Sequence, residues 1–195
     1  MKQFSIFLIL VLSFSTNTAI GQTNEILVDA RDFNKYKTTK IGSQVWMAEN
    51  LNFKTKESLV YNQKEDEIVF GRLYNWDEAR VACPTGWHLP SDQEWKDLEK
   101  LLGMTDGEAD KLNEWRGTDQ GKRLISDSAL QFHVPFGGYG NPPANFNLKN
   151  SQAFFWTSTT EYELVLTRQF YEKEQRILRK ARPKNWSFSV RCIKD

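Results

Sequence analysis

The chain is poor in histidine. Only His88 and His133 occur among 195 residues, so a three-histidine metal site is excluded by count; zinc and non-heme iron centres usually draw on several His, Cys and carboxylate ligands together. Cysteine is equally scarce, with Cys83 and Cys192 alone. No G-x-S-x-G elbow, phosphate-binding P-loop or H-E-x-x-H helix is present, which removes the usual signatures of α/β-hydrolases, P-loop NTPases and zincin proteases. Internal repeats and low-complexity tracts are also missing. Net charge is nearly absent: setting aside Lys2 leaves 25 basic residues against 25 acidic ones, a balance that asks for neither nucleic acid nor an anionic membrane. The local density of Arg176, Arg179, Lys180, Arg182 and Lys184 reads as a solvated strand or loop.

What is present begins with the N-terminus. Lys2 precedes an apolar run from Phe4 to Phe14, too short to span a bilayer, and Ala19-Ile-Gly21 follows with small residues where a peptidase would cut. This predicts a signal peptide over residues 1–21, with Gln22 as the first mature residue; an uncleaved anchor is the alternative. No cysteine follows the run, which disfavours a lipid anchor, and no second apolar stretch approaches transmembrane length. The expected location is therefore outside the cytoplasm: periplasmic, cell-surface or secreted. Residues 22–28 read as a short lead and 29–195 as one domain.

Two cysteines in an exported chain most simply pair. Closing a loop of roughly one hundred residues contributes about 4–5 kcal/mol in the chain-entropy model. Two free thiols, or a bridge between molecules, are the alternatives. Cys83-Pro-Thr-Gly-Trp-His-Leu-Pro-Ser-Asp-Gln-Glu-Trp95 combines a turn with a helix start: Ser91 and Glu94 make a capping box, and Trp95, Leu98, Leu101 and Leu102 fall on one helical face before Gly103. Tyr36 to Ile41 and Gln44 to Met47 predict a hairpin around Gly42-Ser43. Asp29 to Asn34 predicts an Asx-type turn. Asp77 to Ala82 and Glu108 to Trp115 read as short helices, Lys54 to Glu67 as a polar, exposed loop, and Pro135 to Pro143 as irregular. Glu163 to Tyr171 and Gln175 to Ala181 read as a hairpin, and Trp186 to Ile193 as one alternating final strand.

Candidate chemistry is thin. His88 and His133 read as structural histidines. The pairs Asp92 with Glu94 and Glu161 with Glu163 are explained by a helix start and a solvated loop, so neither selects a hydrolase. The segment Gly137 to Asn147 brings together Tyr139, Asn141, Asn145 and Asn147, and the nearby strand Phe154 to Ser158 adds Trp156. Amides for hydroxyls and aromatics for ring faces are what sugar recognition uses; the competing reading is a structural Ω-like loop pinned by Tyr139.

The ordered series Tyr36-Lys-Thr-x-Lys-Ile-Gly-x-Gln-Val-Trp-Met-Ala-Glu-Asn-Leu51, Gly71-Arg-Leu-Tyr-Asn-Trp76, Cys83 to Trp95, Gly137-Gly-Tyr139, Phe155-Trp-Thr-Ser158 and Ser189-Val-Arg-Cys192 resembles the Fibrobacter succinogenes major paralogous domain, a family of exported and surface proteins of bacteria. The segment before Ser189 departs from the family pattern, with Asn185-Trp-Ser-Phe188 where a Gly-Phe is common. A more distant similarity to C-type-lectin-like and formylglycine-generating-enzyme folds implies an α+β domain of small twisted antiparallel sheets, flanking helices and long irregular loops. It also implies two other readings. Calcium is the one cofactor that Asn141-Pro142 leaves open, as a faint echo of a lectin motif without its acidic partner. An enzyme of the formylglycine-generating kind would need Cys83 and Cys192 as free thiols. The expectation is a noncatalytic binding module for carbohydrate or a surface protein, with that enzyme, or a surface protein of purely structural role, as alternatives.

Overall fold

The computed structural model describes residues 25–143 and 145–195; the expected signal peptide lies outside the described residues. Strand β1 (Ile26–Val28) takes the end of the expected lead and pairs with β2 (Lys35–Ile41), which turns at Gly42 into β3 (Gln44–Met47). The Asx turn forms: the Asp29 carboxylate accepts from the Arg31 amide and that of Asp32 from the Asn34 amide. The stretch expected to be an exposed loop instead contains two 3-10 turns, Tyr61–Gln63 and Glu65–Phe70, because Tyr61 is buried against Phe146.

Strand β4 (Leu73–Tyr74) leads into helix α1 (Trp76–Ala82), then β5 (Trp87–His88) and helix α2 (Asp92–Leu101). The capping box of α2 is complete. Its buried face is Trp95, Leu98 and Glu99, whereas Leu101 is 53% exposed. At about 100° per residue, Leu101 stands about 120° round the helix from Trp95; it covers Gly42 at the hairpin turn.

The expected helix over Glu108 to Trp115 is shorter. Helix α3 (Asp106–Asp110) stops, Asn113 reverses the chain at φ 63°, and β6 (Glu114–Arg116) begins. Helix α4 (Gln120–Ser126) follows. Strand β7 (Tyr139–Asn141), inside the segment expected to be irregular, forms a hairpin with β8 (Asn145–Asn147) just beyond it. The long β9 (Gln152–Glu161), β10 (Leu164–Tyr171) and β11 (Ile177–Pro183) form the expected meander. The final segment is two short strands, β12 (Phe188–Ser189) and β13 (Ile193–Lys194), not one alternating strand. It crosses from one sheet to another, so 187–193 is buried throughout and has no solvent face to keep polar.

The architecture is α+β. A five-stranded sheet runs β1-β2-β3-β13-β5 and a six-stranded sheet runs β4-β12-β9-β10-β11-β6. The sheets are not wholly antiparallel, because β12 lies parallel to β9. The six-stranded sheet is covered on both faces. Phe155, Phe170 and Ile177 face Trp95 and Leu98 of α2, while Phe154, Trp156, Val165 and Phe188 belong to a second cluster with Met47, Leu51 and Trp76.

An ionic cluster lies beneath α2. Asp92 accepts from Arg168 Nη1 at 2.7 Å and from Arg179 Nε and Nη2 at 2.8 Å each. Glu99, fully buried, is flanked by Arg168 Nε at 2.5 Å and Arg116 Nη2 at 3.0 Å. Buried charges of this kind persist only when paired and hydrogen-bonded. The capping helix is thereby tied to β6, β10 and β11, and Asp92, read from sequence only as a helix start, is its central acid.

Candidate functional site

The hairpin β7–β8 is entered through a position that only glycine suits. Gly138 has φ 67°, and a Cβ there would lie 2.2 Å from the Asn147 carbonyl oxygen. Gly140 exchanges backbone hydrogen bonds with Ser187, N to O at 2.9 Å and back at 2.8 Å. That pairing lays the hairpin beside the approach to β12. Tyr139 then stacks on Trp186, ring centres 5.1 Å apart and planes 5° from parallel. Phe154 and Phe188 meet the edges of Tyr139 from inside.

This places each predicted ligand residue. Tyr139, Asn141 and Asn147 are half-buried and Asn145 is exposed, all on one hairpin; Asn147 Nδ2 donates to Asn141 Oδ1 at 3.3 Å. Trp156 is not on that surface. It is fully buried, and its indole N–H donates to the Tyr74 carbonyl at 2.7 Å. Trp186 takes the outer position instead. The Tyr139 hydroxyl and the Trp186 indole N–H have no protein partner among the described residues and are not buried, so both face solvent. Sequence reasoning passed over Trp186 and Arg182, whose guanidinium lies 5.2 Å from the Trp186 ring centre; alternation of basic residues into a tryptophan was the available signal.

Cys83 and Cys192 are bonded to each other, Cα atoms 6.0 Å apart, and no free cysteine is found among the described residues. The bond joins the end of α1 to the final segment. Beside it, His88 bridges two carboxylates: Nδ1 is 2.6 Å from Asp195 Oδ1 and Nε2 is 2.8 Å from Glu94 Oε1. Burial disfavours the charged imidazole, but the hydrogen bonds to Asp195 and then Glu94 outweigh it and raise its pKa above 6.5. Ser91 Oγ is spent within the cap, donating to Glu94 Oε2 at 2.8 Å. No Ser–His or Cys–His pair of the kind that activates a nucleophile is formed here.

A cleft of about 540 Å³ is lined by Ile26, Lys37, Ala48, Glu49, Gln131 and His133. Gln131 and His133 hold left-handed backbones, φ 50° and 43°, a conformation costly outside glycine. Arg191 holds that turn from below, donating to the Phe132 carbonyl at 2.5 Å and the His133 carbonyl at 2.9 Å. Burial lowers the Arg191 pKa to about 9, which leaves it protonated at neutral pH. The described residues hold no group of three His, Cys, Asp or Glu side chains that could hold a metal ion, and no helix long and apolar enough to cross a membrane.

The family model described as the Fibrobacter succinogenes major domain matches residues 39–194. Neither a curated protein nor a solved structure matches the chain. The match spans most of the sequence, and the chain belongs to that family.

Proposed function

We propose that this member of the Fibrobacter succinogenes major domain family is an exported, noncatalytic binding module with a C-type-lectin-like arrangement, and that its ligand is a glycan or other saccharide of cell-envelope material. The observation that carries the reading is the stacked Tyr139–Trp186 pair with its open hydroxyl and indole N–H, set beside the amides of Asn141 and Asn147. Saccharides are bound by such a combination, apolar ring faces against aromatics and hydroxyls against neutral donors and acceptors. The fold reading is supported by the way β13, near the C-terminus, pairs with both β3 and β5, with the Cys83–Cys192 bond alongside.

An array of plant, host and bacterial glycans probed with the disulfide-bonded protein tests this directly. Binding that Tyr139→Ala and Trp186→Ala each abolish is expected, and on this reading, which assigns no calcium to the hairpin, it should survive EDTA. Silence across the array would leave a surface protein of structural role as the better account.

A further inference from the structure

The aromatic end of the six-stranded sheet is also where positive charge is left over. Alternate residues of a strand share a face. By register Leu178, Lys180 and Arg182 of β11 lie on the face that carries Phe154 and Trp156. The ion pairs of this stretch belong to Arg176, with Glu174, and to Arg179, with Asp92. Lys180 and Arg182 form none among the described residues.

Arg182 is the more unusual of the two. Its Nη2 donates to Gln169 Oε1 at 3.1 Å. Its Nε is buried with no acceptor, while Nη1, also without an acceptor, is not buried. Burial holds its pKa below the usual arginine value, and Tyr139 acts weakly in the other direction. A cation partly withdrawn from water with no counter-charge is costly to the free protein, and an arriving anion offsets that cost. The planar guanidinium fork suits a carboxylate in particular.

We propose that Lys180 and Arg182 make this site selective for acidic saccharides, polymers of hexuronic acid, with a uronate carboxylate on Arg182 and Lys180 and a sugar ring against the Tyr139–Trp186 edge. The inference rests on the saccharide reading above and adds the class of sugar.

Calorimetric titration of the disulfide-bonded protein with tetragalacturonate, tetramannuronate, the methyl ester of tetragalacturonate and neutral cellotetraose separates the two. The expected result is that one or both acids bind at least about tenfold more tightly than the ester, and that Arg182→Gln removes about that factor. Lys180→Gln, at a half-exposed position, should weaken the acids in the same direction without disturbing the fold. Equal binding of acid and ester, or acid binding unchanged in both variants, overturns the acidic class and leaves the saccharide reading standing. Failure of all four sugars, together with a silent array, removes both.

Discussion

Arg191 gives two hydrogen bonds to one atom of Asn50: Nε and Nη2 both reach Oδ1, at 3.2 and 2.7 Å, across 141 positions of sequence. Nη1 donates to the Met47 and Phe132 carbonyls and Nη2 also to that of His133, so all five N–H donors are used on neutral oxygens. The guanidinium lies 4.6 Å from the Phe132 ring centre. No carboxylate touches it among the described residues. Asn50→Ala would strand two of these donors in the core and should cost about 2–3 kcal/mol, read as a lower denaturant midpoint with an unchanged slope. Arg191→Lys cannot rebuild the planar fork and should cost at least as much.

The ionic cluster under α2 should be equally sensitive. Asp92→Ala leaves Arg168 and Arg179 buried without their shared acid, and a loss of about 3–5 kcal/mol is expected in chemical denaturation. Burial works against the Asp92 carboxylate, yet the hydrogen bonds from Arg179 and Arg168 and their charges prevail and hold its pKa well below the ordinary 3.8. A depressed carboxylate stabilises the fold above its unfolded value and loses that stability as pH falls through its folded one. Acid unfolding should therefore set in below pH 3.8 in the native protein, and Asp92→Asn should flatten that limb of the curve.

His88 gives the opposite sign. Its raised pKa means that the stabilisation from the imidazolium between Asp195 and Glu94 is full below 6.5 and is lost as pH rises through the folded value. Melting temperature should fall as pH rises above 6.5 in the native protein, and the step should vanish in His88→Gln.

Reduction tests the clasp and the enzyme alternative together. The disulfide closes a loop of 109 residues, which in the chain-entropy model contributes about 4–5 kcal/mol. Thiol titration of denatured, unreduced protein should find no reactive cysteine. Two titratable thiols would reopen the formylglycine-generating kind of chemistry, which requires them.

What could be read from sequence was local. The box of Ser91 and Glu94, the hairpin around Gly42, and the β10–β11 pair rich in β-branched and aromatic residues are each encoded within a short stretch of chain, the longest of them running from Leu164 to Pro183. What escaped was set by distant partners. Trp156 looked like a binding aromatic, but its neighbours Tyr74 and Phe188 come from other strands and bury it. Arg191 sat in an alternating run that predicted solvent on one side; the crossing between two sheets removed that side. Trp186 and Arg182 come to stand beside Tyr139 only when Gly140 pairs with Ser187 and brings that ring across.

The place of β13 bears on the order in which this molecule can be built. The five-stranded sheet is divided by β13: β1, β2 and β3 stand on one side and β5 on the other until Ile193 slots between Trp46 and His88. The same few residues supply Cys192 and Arg191, hence the covalent bond and the five-donor anchor. Until residues 191–195 are in place, no strand pairs the two halves of that sheet. Closure of that sheet therefore waits on residues 191–195, and a chain truncated before Arg191 should remain a substrate for chaperones and proteases.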